Sequence, residues 1–310
     1  MYVSFRQAQC WLLFIIANPT SGNRNFSKLW KEIQHVLNHL KIDFSFAFTQ
    51  FSKHEVKLVE TAIQQGFRNI ISIGGDGTLH HVVNEIMMQR YVKTSDITIG
   101  VIPLGTGNDW IKTYNIPNSI EKSINIIHQN KTILQNIGVL ETESNTISYF
   151  NNIAGVGYDG YVVHKLEKLK RFGSIGYLLA GIAGLLYYKK TIFKIIFDDK
   201  VIETNCLMVL IGIFKFSGGG MQFTKNVNPT DGLLDITIAK NLNLADLLLN
   251  IKKLYNGNTT HHQKIETYKT KEIAVISTTS KPFIQADGEL VGTGKIHVKI
   301  IEKAINFLVN

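Results

Sequence analysis

Apolar residues in the first 130 positions follow two alternating rhythms. Short, nearly continuous runs occupy residues 12–17, 44–49, 70–73 and 98–102, whereas residues 27–40 and 55–65 space their apolar positions three and four apart. The first rhythm predicts buried strands and the second amphipathic helices, with another helix at residues 79–88. Strands alternating with helices imply right-handed crossovers and a parallel sheet covered on both faces. The predicted fold is therefore α/β, a doubly wound parallel sheet over residues 1–135.

Past about residue 130 the rhythm changes. Longer β-type runs dominate, at residues 132–140, 147–153, 191–197, 206–214, 233–239, 273–277 and 296–300, interrupted by helical patterns at 161–170, around 175–188 and at 244–255. This predicts a second, mainly antiparallel β-sandwich domain over residues 136–299, with a C-terminal segment at about 300–310 able to return to the first domain.

Composition narrows the partners. The 310 residues are 45% hydrophobic, enough for two cores, and 33 Lys and Arg against 24 Asp and Glu give a net charge of +9. That balance favours anionic partners. The basic residues are scattered, without an Arg-rich tail or aromatic-interleaved block, which argues against nucleic acid. Cys10 and Cys206 have neither zinc-site spacing nor the density of a disulfide scaffold, so a reducing cytoplasm fits. Arg6 and the apolar run at 10–17 lead into polar Asn18 without a small-residue cleavage site, which reads as a first buried strand and not a signal peptide. The nearly uncharged stretch 175–188 falls short of the about 20 residues a bilayer-spanning helix needs. It suits a core helix or one lining a lipid pocket.

Candidate chemistry gathers where strands end. Gly74-Gly75-Asp76-Gly77-Thr78 follows the run at 70–73 and opens into a helix. Glycines let backbone N–H groups approach a phosphate, and a helix N-terminus favours an anion. Asp76 would then act through a cation, a ribose hydroxyl or a water. The plainer alternative is a strand-to-helix turn with a polar cap. Asn18-Pro19-Thr20-Ser21-Gly22 follows the first strand, and Pro103-Leu104-Gly105-Thr106-Gly107-Asn108-Asp109 the fourth. Three such loops on one parallel sheet point to a nucleotide, because ligands bind at the carboxyl ends of parallel strands.

In this order the loops resemble the diacylglycerol kinase catalytic family, which includes bacterial lipid kinases and the sphingosine and ceramide kinases. The resemblance continues through Asn151-Asn152-Ile153-Ala154-Gly155-Val156-Gly157-Tyr158-Asp159-Gly160, Gly218-Gly219-Gly220-Met221, Asp231-Gly232-Leu233-Leu234-Asp235 and Asp287-Gly288-Glu289, and so covers nearly the whole chain. It implies an ATP- and Mg-dependent lipid kinase acting on diacylglycerol or a related lipid. Its site would comprise Asn18, Pro19, Thr20, Ser21, Gly22, Thr49, Gly74, Gly75, Asp76, Gly77, Thr78, Leu79, His80, His81 and Thr106 around ATP. Asp109 would meet Mg through water, and Asn228, Asp231 and Leu233 would hold a second-domain metal by all-oxygen ligation.

Asp76 would be catalytically important, and Asp287 or Glu289 would be the base that deprotonates the acceptor hydroxyl. Taken alone, Asp287-Gly288-Glu289 equally fits a turn between 283–284 and 290–291. His80 and His81 read as packing or capping residues by their adjacency, and Lys170 and Arg171 as a solvated helix end that could also meet a phosphate or headgroup. The alternatives are a kinase of a soluble nucleotide such as NAD, whose family carries a similar glycine loop, and a nucleotide-binding regulator without turnover. The expected setting is cytoplasmic, peripheral to the inner face of an acidic membrane, with a homodimer compatible.

Overall fold

Alternation of period two and period 3.6 carries through into the architecture. The computed structural model describes residues 12–22, 25–105, 107–166, 181, 184–222, 224, 227–242, 244–256 and 262–310. Thr106, Lys170, Arg171, Arg6, Cys10 and most of the stretch 175–188 lie outside the described residues. The chain divides into two units, Met1–Gln135 with Lys303–Asn310, and Asn136–Glu302.

The first unit runs β1 (Leu13–Ala17), α1 (Phe26–His39), β2 (Phe44–Phe48), α2 (His54–Gln64), β3 (Asn69–Gly74), α3 (Asp76–Met88), β4 (Thr98–Pro103), α4 (Asp109–Thr113) and α5 (Ile120–Gln129). Its strands are parallel and lie in the order β4-β3-β1-β2. Asn306 and Phe307 of the last strand add a further parallel neighbour to β4. Helices α1 and α5 pack together, as do α2 and α3, the pairing a doubly wound sheet requires. In α1, Asn25 caps the first turn by accepting the Lys28 N–H, and Trp30, Ile33 and Leu37 bury one stripe. That stripe meets Leu13, Ile15, Ile71, Ile73 and Ile102 of the sheet. Burying a side chain of this size is worth about 1.5–3 kcal/mol. Because β2 lies on one side of β1 and β3 on the other, the strand order reverses between β1 and β3. Such a switch point opens a crevice at the carboxyl ends of the two strands.

The second unit is mainly antiparallel, as its β-rich pattern predicts. Its strands are β5 (Thr132–Thr142), β6 (Ile147–Phe150), β7 (Ile153–Gly157), β8 (Thr191–Phe197) and β9 (Lys200–Gly212). There follow β10 (Phe216–Ser217), β11 (Met221–Gln222), β12 (Leu234–Lys240), β13 (Ile265–Thr270), β14 (Glu272–Ser277), β15 (Phe283–Ala286), β16 (Glu289–Thr293) and β17 (Ile296–Leu308). Helices α6 (Tyr158–Leu166) and α7 (Leu244–Asn256) accompany them. The main path is β16-β15-β7-β9-β8-β14-β17, and β12 pairs with β9 and β13. Alternate residues such as Phe193, Ile195 and Phe197 face a shared core with Val209, Ile211, Ile236, Val275 and Ile284.

One predicted element needs correction. Residues 147–153 form not one strand but β6 and β7, broken at Asn151 and Asn152. The N–H groups of Asn151, Asn152 and Ile153 turn to the Asp287 carboxylate, at 3.0, 3.0 and 3.1 Å. A carboxylate far along the chain thus supplies acceptors in place of a neighbouring strand. Helices α4 and α5, strand β13 and the strands β15 and β16 flanking the predicted turn at 287–288 are additional to the predicted elements.

Candidate functional site

Three loops of the first unit come together at the switch point. The Asn18 N–H donates to the Ile73 carbonyl at 2.9 Å, and its Nδ2 to Thr78 Oγ1 at 3.2 Å, which joins the loop after β1 to the start of α3. Asn18 Oδ1 in turn accepts from the Thr20 N–H and hydroxyl at 3.0 and 2.8 Å, fixing the turn through Pro19 toward Ser21 and Gly22. Across β3, the Leu104 N–H donates to the Gly74 carbonyl at 2.8 Å. The Thr49 N–H, at the end of β2, donates to the Ala17 carbonyl at 3.0 Å.

The contact between the second and third loops depends on absent side chains. A Cβ on Gly105 would stand 2.6 Å from the Gly75 Cα, nearer than any real packing allows. The glycines therefore serve close backbone approach. Asp76 closes the same junction: its Oδ2 accepts the Asp109 N–H at 3.0 Å and its Oδ1 the Trp110 N–H at 3.4 Å. It caps α4 from a different loop, a role the sequence reading did not foresee. Asp109 is itself buried, and its Oδ1 meets Lys112 Nζ at 2.6 Å. The N-cap of α3 is Gly75, which has no side chain to close the first turn. Gly77 and Thr78 fall in its first turn. Leu79 and His80 are buried, the His80 ring beside Asn84, and the His81 ring lies edge-on to it. Asn18, Thr20, Gly74, Gly75, Asp76, Thr78 and Asp109 are thus linked directly. Asp76 and Asp109 are carboxylates, a chemistry that can hold Mg through water.

In the second unit, Asp287 and Gly288 are the two turn residues of the β15–β16 hairpin, with φ of +50° and +81°. Asp-Gly is the dipeptide such a two-residue turn demands. Besides accepting three N–H groups through its carboxylate, Asp287 donates its own N–H to the Ile153 carbonyl at 2.9 Å. Glu289 begins β16, half-buried. Behind the turn, Gln285 Oε1 accepts the Gly288 N–H at 2.8 Å and Gln285 Nε2 donates to Asp159 Oδ2. Burial pushes the Asp159 carboxyl up to about 6, with the Gln285 hydrogen bond pulling the other way. Asp159 lies within the 151–160 motif, but no local pattern marks its pairing with Gln285. Gly218, Gly219 and Gly220 form the tip of the β10–β11 hairpin.

Asn228, Asp231 and Leu233 also lie in one loop, where oxygens of Asn228 and Asp231 are already engaged. Asn228 Oδ1 accepts from the Thr230 N–H and hydroxyl, and its carbonyl from the Asp231 N–H at 3.3 Å. Asp231 Oδ1 accepts the Leu233 N–H at 3.0 Å, and Asp231 Oδ2 the Lys269 ammonium at 2.8 Å. A divalent ion binding this carboxylate directly would have to displace the ammonium, so the set as folded does not fit one. Among the described residues, no group of three or more His, Cys, Asp or Glu is placed to hold a metal ion.

Comparison with known proteins places these features in context. Residues 12–140 match the family model "Diacylglycerol kinase catalytic domain", and residues 152–309 match "YegS C-terminal NAD kinase beta sandwich-like domain". A diacylglycerol kinase of Staphylococcus saprophyticus is 28% identical over 280 residues, covering 90% of this chain and 88% of the relative. One from Staphylococcus carnosus is 29% identical over 280 residues, with the same coverage of 90% and 88%. A crystal structure of a diacylglycerol kinase from Bacillus anthracis superposes with a TM-score of 0.75 at 20% identity, over 97% of each chain, and shares the fold.

Proposed function

Because the chain belongs to the diacylglycerol kinase catalytic domain family, with its YegS-type C-terminal domain, we propose that it is an ATP-dependent lipid kinase. It transfers the γ-phosphate of ATP to a hydroxyl of diacylglycerol or a related lipid. The observation that carries this reading is the joining of the loops at 18–22, 74–78 and 104–109 at the β1/β3 switch point.

Phosphoryl transfer needs positioning and charge neutralisation more than covalent chemistry. The amides at the start of α3, behind its N-cap glycine Gly75, and in the 18–22 loop hold the phosphates. Thr49, His81, Thr106 and the backbone at Leu79 and His80 complete the nucleotide site. Asp109, with Asp76 beside it, would hold a water-ligated Mg, which when bound offsets the phosphate charge. Glu289 is the base that takes the proton of the lipid hydroxyl. Asp287 is the positioning residue, because its carboxylate serves three backbone N–H groups.

The lipid reaches the enzyme at a membrane surface. No described helix is long and apolar enough to cross a membrane. The net charge of +9 favours peripheral contact with acidic lipids on the cytoplasmic side, weakened by salt.

The test is to incubate the folded protein with γ-labelled ATP, magnesium and either extracted membrane lipids or NAD. Label is expected in a lipid phosphate. NADP without labelled lipid would shift the acceptor to a soluble nucleotide. ATP binding without transfer to any acceptor would end the proposal in favour of a regulator.

A further inference from the structure

The loop at residues 228–233 leads into β12, and β12 pairs with β13 so that Asp235 stands directly opposite Lys269. Lys269 Nζ reaches Asp231 Oδ2 at 2.8 Å and Asp235 Oδ2 at 3.5 Å, one ammonium between two carboxylates. The Asp235 side chain is 6% exposed, and its Oδ2 has no hydrogen-bond partner among the described residues. A buried carboxylate in that condition needs a cation close by. The loop is held by its own hydrogen bonds: the Asp231 N–H, the Leu233 N–H and the Thr230 N–H are each bound within it, and the Pro229 carbonyl accepts the Asn136 N–H at 2.9 Å.

We propose that the Lys269 ammonium is the resident cation of this loop and excludes a divalent ion from it. The chain carries on β13 the positive charge that Asp231 and Asp235 would otherwise draw from solution. Lys269 lies in an ordinary alternating strand segment, Ile265–Thr270, and its sequence context does not advertise the role. Removing the ammonium should turn the same loop into a divalent site, since two carboxylates and the Asn228 and Leu233 carbonyls form an all-oxygen set suited to Mg²⁺ or Ca²⁺.

The experiment is thermal unfolding of the full chain, without nucleotide, in EDTA and in millimolar MgCl₂ or CaCl₂ at matched ionic strength. A ligand that binds only the folded state raises Tm with its concentration. Wild type and Asp231→Asn are expected to respond to divalent ions equally, any shared response coming from elsewhere in the chain. Lys269→Gln should lose several degrees in EDTA and recover most of them with either divalent ion. Lys269→Gln/Asp231→Asn should lose that recovery. A divalent-dependent rise in wild type that Asp231→Asn abolishes would overturn the proposal, as would a Lys269→Gln variant that melts like wild type in EDTA. If Lys269→Gln does not fold, the comparison of wild type with Asp231→Asn still decides. Unfolding is read without turnover, so failure here is distinguishable from failure of the kinase reading.

Discussion

In the parallel unit, Gly75 and Gly105 bring two loops into backbone contact, and one carboxylate, Asp76, ties the junction. In the antiparallel unit, side chains do the equivalent work: Asp287 gathers three consecutive N–H groups, Asp231 and Asp235 share Lys269, and Asp159 braces Gln285. The first construction sets a glycine at the N-cap of α3, so that no N-cap side chain competes with a ligand for the first turn. The second uses its donors internally. An acidic residue in a glycine-containing motif is therefore weak evidence of catalysis until its hydrogen-bond partners are known, as Asp287 shows by accepting three backbone N–H groups.

The largest expected effect tests that division. Glu289→Gln should lower kcat by about 10²–10⁴-fold, the range for losing a general base. The Tm and the Tm increase produced by ATP should stay at wild-type values. Steady-state kinetics with calorimetric melting checks both, and a variant that keeps wild-type kcat would move the base elsewhere.

Gly105→Ala attacks the first construction. Its Cβ would stand 2.6 Å from the Gly75 Cα, so the two loops must part. Overpacking of this kind costs about 1–3 kcal/mol. If that cost falls on nucleotide binding, ATP affinity drops roughly 5- to 150-fold, by the tenfold-per-1.4 kcal/mol rule. Titration calorimetry reads it directly, and unchanged affinity would separate the Gly75–Gly105 contact from the nucleotide site.

Much of the first construction was legible because glycine, strand end and helix start are local signals. The strands predicted at 12–17, 70–73 and 98–102 lie within a residue or two of β1, β3 and β4, and the loops after them carry their glycines in plain sequence. The second construction was not legible, because its bonds join residues far apart: Asp287 lies 136 positions from Asn151, and Gln285 lies 126 from Asp159. Nothing local marks the break at Asn151–Asn152 or the role of Lys269. The turn at Asp287-Gly288 was readable as a turn, but its carboxylate's task was not. The family resemblance supplied Asp287 and Glu289 together as candidates for the base, where spacing could not.

Asp287→Asn sharpens the comparison at smaller cost to turnover. An amide has one acceptor oxygen for the three N–H groups that the carboxylate now serves, and its NH₂ faces at least one of them. Leaving a buried donor unsatisfied costs about 1–3 kcal/mol. Tm should fall, with measurable kcat retained below the new melting range. A loss of kcat as deep as that of Glu289→Gln, without a fall in Tm, would reverse the roles assigned to the two acids.

The smallest expected effect on turnover belongs to Asp159→Asn, whose readout is stability against pH. Burial raises the folded-state pKa of Asp159 from 3.8 to about 6. A raised carboxyl favours the folded state at low pH, where both states are protonated, and that contribution is lost as pH rises through the folded value. Asn cannot ionise and still offers an oxygen to Gln285 Nε2. The stability of the variant relative to wild type should therefore climb between pH 4 and 6 and level off above, by on the order of a few kcal/mol. Denaturant unfolding of both proteins at stepped pH measures the difference, with the other carboxylates cancelling in the subtraction. A flat difference across that window would mean that Asp159 carries its charge in the folded protein, and that the brace behind Gly288 is an ionic acceptor instead of a neutral one.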